Sequence, residues 1–146
     1  MVDQILAGGA TSLVNLVIHA LVMGALVKLL LGMAGRGSGA PEFMRYTVVI
    51  VTTGSVLFAA HFAEILLWAY TYAAVGAAPP GTDLVYFAFS NYTTLGYGDI
   101  LPSPEWRMLG PITAMNGVLL FGWSTAVIFE VLRTSAGALR NLPTHS

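Results

Sequence analysis

The sequence predicts an all-α membrane protein, with three transmembrane helices and one shorter helix that enters the apolar layer without crossing it. Three observations carry that reading. Of the 146 residues 56% are hydrophobic and 9% charged, with a mean hydropathy of +0.76, whereas about a quarter of the residues of a soluble domain are charged. Three apolar runs reach the roughly 20 residues that cross a bilayer. A fourth, Leu84 to Tyr92, stops at about half that length. The net charge of -1 argues against nucleic acid as a partner. The absence of cysteine excludes disulfides and thiolate metal sites.

Residues 1–35 read as an additional N-terminal transmembrane helix, apolar from Ile5 to about Leu31. Asp3 precedes the run and no basic segment leads into it, so it is a retained helix rather than a leader. Gln4, Gly8, Ser12, Asn15 and His19 recur at helical spacing and form the stripe expected to face protein instead of lipid. His19 is expected to be a hydrogen-bonded interior residue. Gly32 to Pro41 reads as a loop. Lys28, Arg36 and Arg45 collect around it, while the next connection carries Asp83 and no Lys or Arg. By the positive-inside rule the loop is cytoplasmic, which puts the N-terminus outside and the C-terminus in the cytoplasm.

Residues 45–134 hold the other helices. The second span runs from Tyr46 to about Ala74, and His61 and Glu64, three apart, share a face. A carboxylate at that depth must turn toward protein. The pair reads either as a pH-sensitive element or as a structural hydrogen bond to the short helix or the first helix. Gly76 to Gly81, with Pro79 and Pro80, ends that span. Thr82 is the expected cap of the short helix, residues 82–92, with Asp83 in its first turn. Ser103, Pro104 and Glu105 read as the start of the last helix, 104–133, with Pro111 expected to kink it. Gly110, Ala114, Gly117, Phe121 and Ser124 share one face. Gly117 and Gly122 are candidate bend points, and Gly117 serves equally as a packing residue. Glu130 either attracts cations or pairs with Arg133. Residues 135–146 read as a frayed polar tail.

Between the short helix and the last one lies Thr93-Thr94-Leu95-Gly96-Tyr97-Gly98-Asp99. Glycines one residue apart supply backbone conformations that a β-carbon forbids. If Gly96 and Gly98 are left-handed and alternate with ordinary dihedrals at Leu95 and Tyr97, successive carbonyls point to one side, as a row of cation ligands.

This seven-residue run resembles the selectivity filter of the potassium channel superfamily, whose usual form has Val or Ile in place of Leu95. The resemblance covers roughly Tyr46 to Arg133 and implies a pore domain of outer helix, pore helix 82–92, filter 93–99 and inner helix. The chain looks similar to small prokaryotic three-helix pore-loop proteins, which implies an inner or plasma membrane location. It further implies a homotetramer in the lipid bilayer that conducts K+ passively, with K+ as permeant ion and no other cofactor. The ion contacts fall to the carbonyls of Thr94, Leu95, Gly96 and Tyr97, with Gly98 permitting the geometry. Ser90, Thr93, Asp99, Tyr86 and Phe87 are the expected support. Many family members have tryptophan at the positions of Tyr86 and Phe87 and an acid at Ser90, so either Asp99 has a different partner here or the filter is looser and more prone to inactivate.

Gating candidates are Gly117, Gly122, His61, Glu64 and Glu130. No helix carries Arg or Lys every third residue, and few residues follow the last span, so a voltage sensor and a ligand-binding domain are not expected. The other readings are a weakly selective monovalent cation channel, a non-conducting membrane assembly or regulatory subunit, and an enzyme using His19, His61 and Glu64. The last lacks any usual metal-site spacing. Nor does the sequence offer a nucleophile–base pair.

Overall fold

The computed structural model describes residues 1–34 and 41–140, with side chains of 33–34 and 136–140 excluded. Four helices follow in chain order: α1 (Val2–Ala34), α2 (Glu42–Val75), α3 (Leu84–Tyr92) and α4 (Leu109–Arg140). There is no strand among the described residues. Among the described residues three helices are long and apolar enough to cross a membrane, over Val2–Gly32, Glu42–Val75 and Pro104–Ser135. The nine residues of α3 rise only about 13 Å, less than half a hydrocarbon core. α1 lies against α2 and α4, and α3 packs between α2 and α4.

Each boundary has a local cause. Pro41 precedes α2 with an extended ψ of 139°, and the helix starts at Glu42, four residues before the expected Tyr46. Gly76 ends it with φ +64°, a left-handed conformation that glycine adopts without steric cost. The Gly76 amide donates to the Ala73 carbonyl and the Ala77 amide to Tyr72, which satisfies two terminal carbonyls. The cap of α3 is Asp83 and not Thr82: its Oδ1 accepts from the Val85 and Tyr86 amides at 3.0 and 3.1 Å. A carboxylate placed there also complements the positive helix end.

The start of the last helix also differs from expectation. Pro104–Trp106 forms a separate 3-10 turn, and the Ser103 side chain does not cap it. The Ser103 amide and hydroxyl instead both donate to the Ala77 carbonyl, which pins this loop to the end of α2. With α4 beginning at Leu109, Pro111 occupies its first turn, where no intrahelical donor is needed, so the physical ground for the expected kink, a lost helical bond, does not arise. At the other end α4 continues to Arg140, so the first residues of the expected tail are helical. Residues 141–146 and most of the expected first loop, 35–40, lie outside the described residues.

The core is aromatic: Trp68, Tyr72, Phe87 and Tyr92 are buried with Ile65, Leu109 and Leu120. Tyr72 stacks obliquely on Phe87 at 4.8 Å between ring centroids. The small residues of α4 set how closely α3 approaches. A Cβ at Gly117 would lie 2.0 Å from the Tyr92 carbonyl oxygen, so this position is a close backbone contact. On α1 a Cβ at Gly8 would meet Ile112 at 2.9 Å.

Polar side chains tie α1 down at intervals. Gln4 accepts from the Met108 amide at 2.8 Å, Thr11 bonds Thr71 at 3.0 Å, and Asn15 donates to Asn116 at 2.9 Å. Asn116 also accepts from the Trp68 indole at 3.0 Å. Each bond adds about 0.5–1.5 kcal/mol, and lipid offers such groups no alternative partner.

Gly117→Ala should destabilise the folded protein by about 1–3 kcal/mol, because backbone must move to admit the methyl group. Gly122→Ala, where a Cβ meets nothing within 4 Å, should leave stability unchanged or raise it. Thermal unfolding of both variants in one detergent checks the contrast.

Candidate functional site

The backbone from Thr93 to Asp99 leaves the end of α3 in a conformation unlike any other among the described residues. Thr94, Gly96 and Gly98 all have positive φ, at 61°, 52° and 77°, while Leu95 and Tyr97 between them do not. The alternation matches the expectation for the two glycines and extends it to Thr94. For a β-branched residue that conformation costs about 1–3 kcal/mol, so the surroundings must impose it.

They do so through amides. Thr93 and Thr94 donate to the carbonyls of Phe89 and Asn91, and Leu95 and Gly96 both donate to the Ser90 carbonyl, at 2.9 and 3.2 Å. The free C-terminal carbonyls of α3 thus hold the amides of the segment. Among the described residues, the carbonyls of Thr94, Leu95, Gly96 and Tyr97 accept no hydrogen bond. Four consecutive acceptors are left open, and a cation is the complement of such a row.

The expected supporting residues divide into two groups. Ser90 acts through its main-chain carbonyl, and the Thr93 hydroxyl donates to Phe89 at 2.8 Å. Tyr86 donates its phenol to Asp99 Oδ2 at 2.8 Å, which gives Asp99 a different partner. That hydrogen bond raises the Tyr86 phenol above its ordinary value. The neutral donor is therefore kept below that ordinary value and lost only as pH climbs through the raised one. Phe87 and Tyr92, by contrast, are buried among Tyr72 and Phe121, on the side of α3 facing the helices. Tyr97 is 70% exposed in the single chain, and Leu95 is 54% exposed. Beside the segment a cleft of about 450 Å³ is lined by Ser90, Asn91, Thr94, Gly96 and the start of α4.

A second constellation lies deeper, where α1, α2, α3 and α4 meet. Glu64 is fully buried. Its Oε1 lies 2.8 Å from His19 Nδ1, and its Oε2 lies 3.0 Å from His61 Nδ1 and accepts from the Tyr92 phenol at 2.5 Å. The two Nε2 atoms both face Ser124 Oγ, His61 at 2.9 Å and His19 at 3.4 Å. Glu64 therefore takes a structural hydrogen bond to the first helix and to α3 together. The sequence contained no metal-ligand spacing, yet the fold gathers His19, His61 and Glu64 with ligand atoms within 4.8 Å of one another. Tyr92 and Ser124 went unrecognised as members, because residues on four helices leave no local signal. Glu130 pairs with Arg133 at 2.8 Å on the exposed end of α4, the second of its two expected roles.

These features sit in a chain that a known family describes. The family model for "Ion channel" matches residues 46–134, more than half of the chain and all of α2, α3 and the segment after it save the first residues of α2. No curated protein and no solved structure matches the chain. With three helices able to cross a membrane and a family match over this span, the chain is a membrane protein that belongs to the ion channel family.

Proposed function

We propose that this protein is a potassium-selective channel in which four copies surround one axis and conduct K+ passively. One observation supports the reading above the others: four successive carbonyls, Thr94 to Tyr97, accept no hydrogen bond from the described residues, beside a backbone that alternates in hand. A desolvated monovalent cation needs oxygens on all sides, and one chain offers a single strip. Four-fold cyclic closure is the simplest way to complete the cage. The exposure of Leu95, Tyr97, Met115 and Leu119 fits surfaces that other copies would cover. The nine-residue α3, its C-terminal end directed at the segment, adds a modest dipole term favouring cations there.

In this assembly the Thr94 hydroxyl and the carbonyls from Thr94 to Tyr97 replace the water shell of K+, by cavity size or by ligand number and field. Gly96 and Gly98 allow the alternation, Ser90 and Thr93 tether it, and Tyr86 braces its outer end through Asp99.

Protein reconstituted alone in liposomes should carry K+ or Tl+ flux, with a reversal potential in mixed K+ and Na+ that follows K+. Equal permeation of the two ions would indicate a weakly selective cation channel, and no flux a non-conducting assembly. Gly96→Ala should abolish selective flux while leaving helix content and oligomer size intact, since only φ at that residue is lost; unchanged selectivity overturns the assignment. Tyr86→Phe removes the donor to Asp99 and should shorten open times or hasten inactivation in single-channel records, with K+ preference retained.

A further inference from the structure

We propose that the buried cluster of His19, His61, Glu64 and Tyr92 is a site for a divalent transition-metal cation of the Zn2+ class, which locks α1 onto the other three helices. One ring nitrogen each from His19 and His61 and a Glu64 oxygen lie within 4.8 Å of one another, and both Nδ1 atoms face the carboxylate, at 2.8 and 3.0 Å. A tetrahedral shell with bonds of about 2.1 Å places its donors roughly 3.4 Å apart, so adjustments on the rotamer scale bring all three into range. The Tyr92 oxygen, 2.5 Å from Glu64 Oε2 and 3.0 Å from His61 Nδ1, is the fourth donor.

The hydrogen-bond inventory of the cluster favours this occupant. While both imidazoles donate Nδ1–H to Glu64, both Nε2 atoms are acceptors aimed at one hydroxyl, Ser124, which has a single proton to give. With both rings neutral, one Nε2 is then left without a donor. A metal held by the two Nδ1 atoms reverses the roles: each ring carries its proton on Nε2, and the Ser124 oxygen accepts from both. Such a hydrogen bond on the outer nitrogen is what orients metal-bound histidines.

Charge also balances. Binding moves each imidazole proton from Nδ1 to Nε2 and releases the Tyr92 phenol proton to solvent. The 2+ ion then faces the Glu64 carboxylate and the Tyr92 phenolate, with no net charge left inside the bilayer. Two nitrogens and two oxygens in a closed tetrahedral shell suit Zn2+ or Co2+, and supply too few oxygens for Ca2+ or Mg2+. His61, 13% exposed while His19 and Glu64 are fully buried, marks the side of entry.

The test uses full-length protein in nanodiscs, stripped with chelator, reloaded with Zn2+ or Co2+ and freed of excess ion. Elemental analysis should find about one ion per chain, and Co2+ should give the visible absorption of a four-coordinate nitrogen and oxygen shell. His61→Gln and Glu64→Gln should lose the ion. Ser124→Ala should retain it with affinity reduced about tenfold, the size expected when an outer hydrogen bond to a ligand is removed. Gly96→Ala should load like the unmodified protein, which separates this site from the conduction pathway. Unmodified protein that takes up no ion overturns the proposal whether or not the variants fold, and so does equal loading of His61→Gln.

Discussion

One buried carboxylate constrains how the helices of this protein assemble. Glu64 lies in the middle of a span, where an unpaired charge costs several kcal/mol. It is satisfied by His19 of α1, His61 of its own helix and Tyr92 of α3, while His61 continues the chain of contacts to Ser124 of α4. Three helices converge on this carboxylate, and α4 joins them through the histidines. The first helix is as much a part of that solution as α2 and α3.

This constraint reaches the segment after α3 through a single residue. Tyr92 is the last residue of α3; its phenol belongs to the Glu64 cluster, and its carbonyl is the atom that α4 approaches at Gly117. The end of α3 is thereby fixed in depth and in rotation. From that fixed end the carbonyls of Phe89, Ser90 and Asn91 reach the amides of residues 93–96. The strained φ at Thr94 follows from anchoring on one side only: amides are held, carbonyls are left open. Rigid packing far from the segment thus prepares a backbone that would not hold this shape by itself.

The Asp99 end of the segment is held by different chemistry. Tyr86 and Asp99 form an exposed hydrogen bond, while Phe87, its neighbour on α3, turns inward and fills the core against Tyr72. Two adjacent aromatics on a short helix point in different directions because successive residues are about 100° apart. One can brace the segment and the other can hold α3 to α2, and neither could do both.

The sequence by itself determined the composition-driven features: three spans, a fourth helix too short to cross, and a glycine alternation at residues 96 and 98. Apolar run length and glycine spacing are local properties, so they are legible in a linear chain. It also placed His61 and Glu64 on one face, because three residues of a helix suffice to define it. The tertiary structure decided which partners that face meets. His19, Tyr92 and Ser124 come from three other helices, and the left-handed Thr94 depends on carbonyls presented by the packed end of α3. Long-range packing sets those contacts, and no periodicity within one helix encodes the rotation of its neighbours.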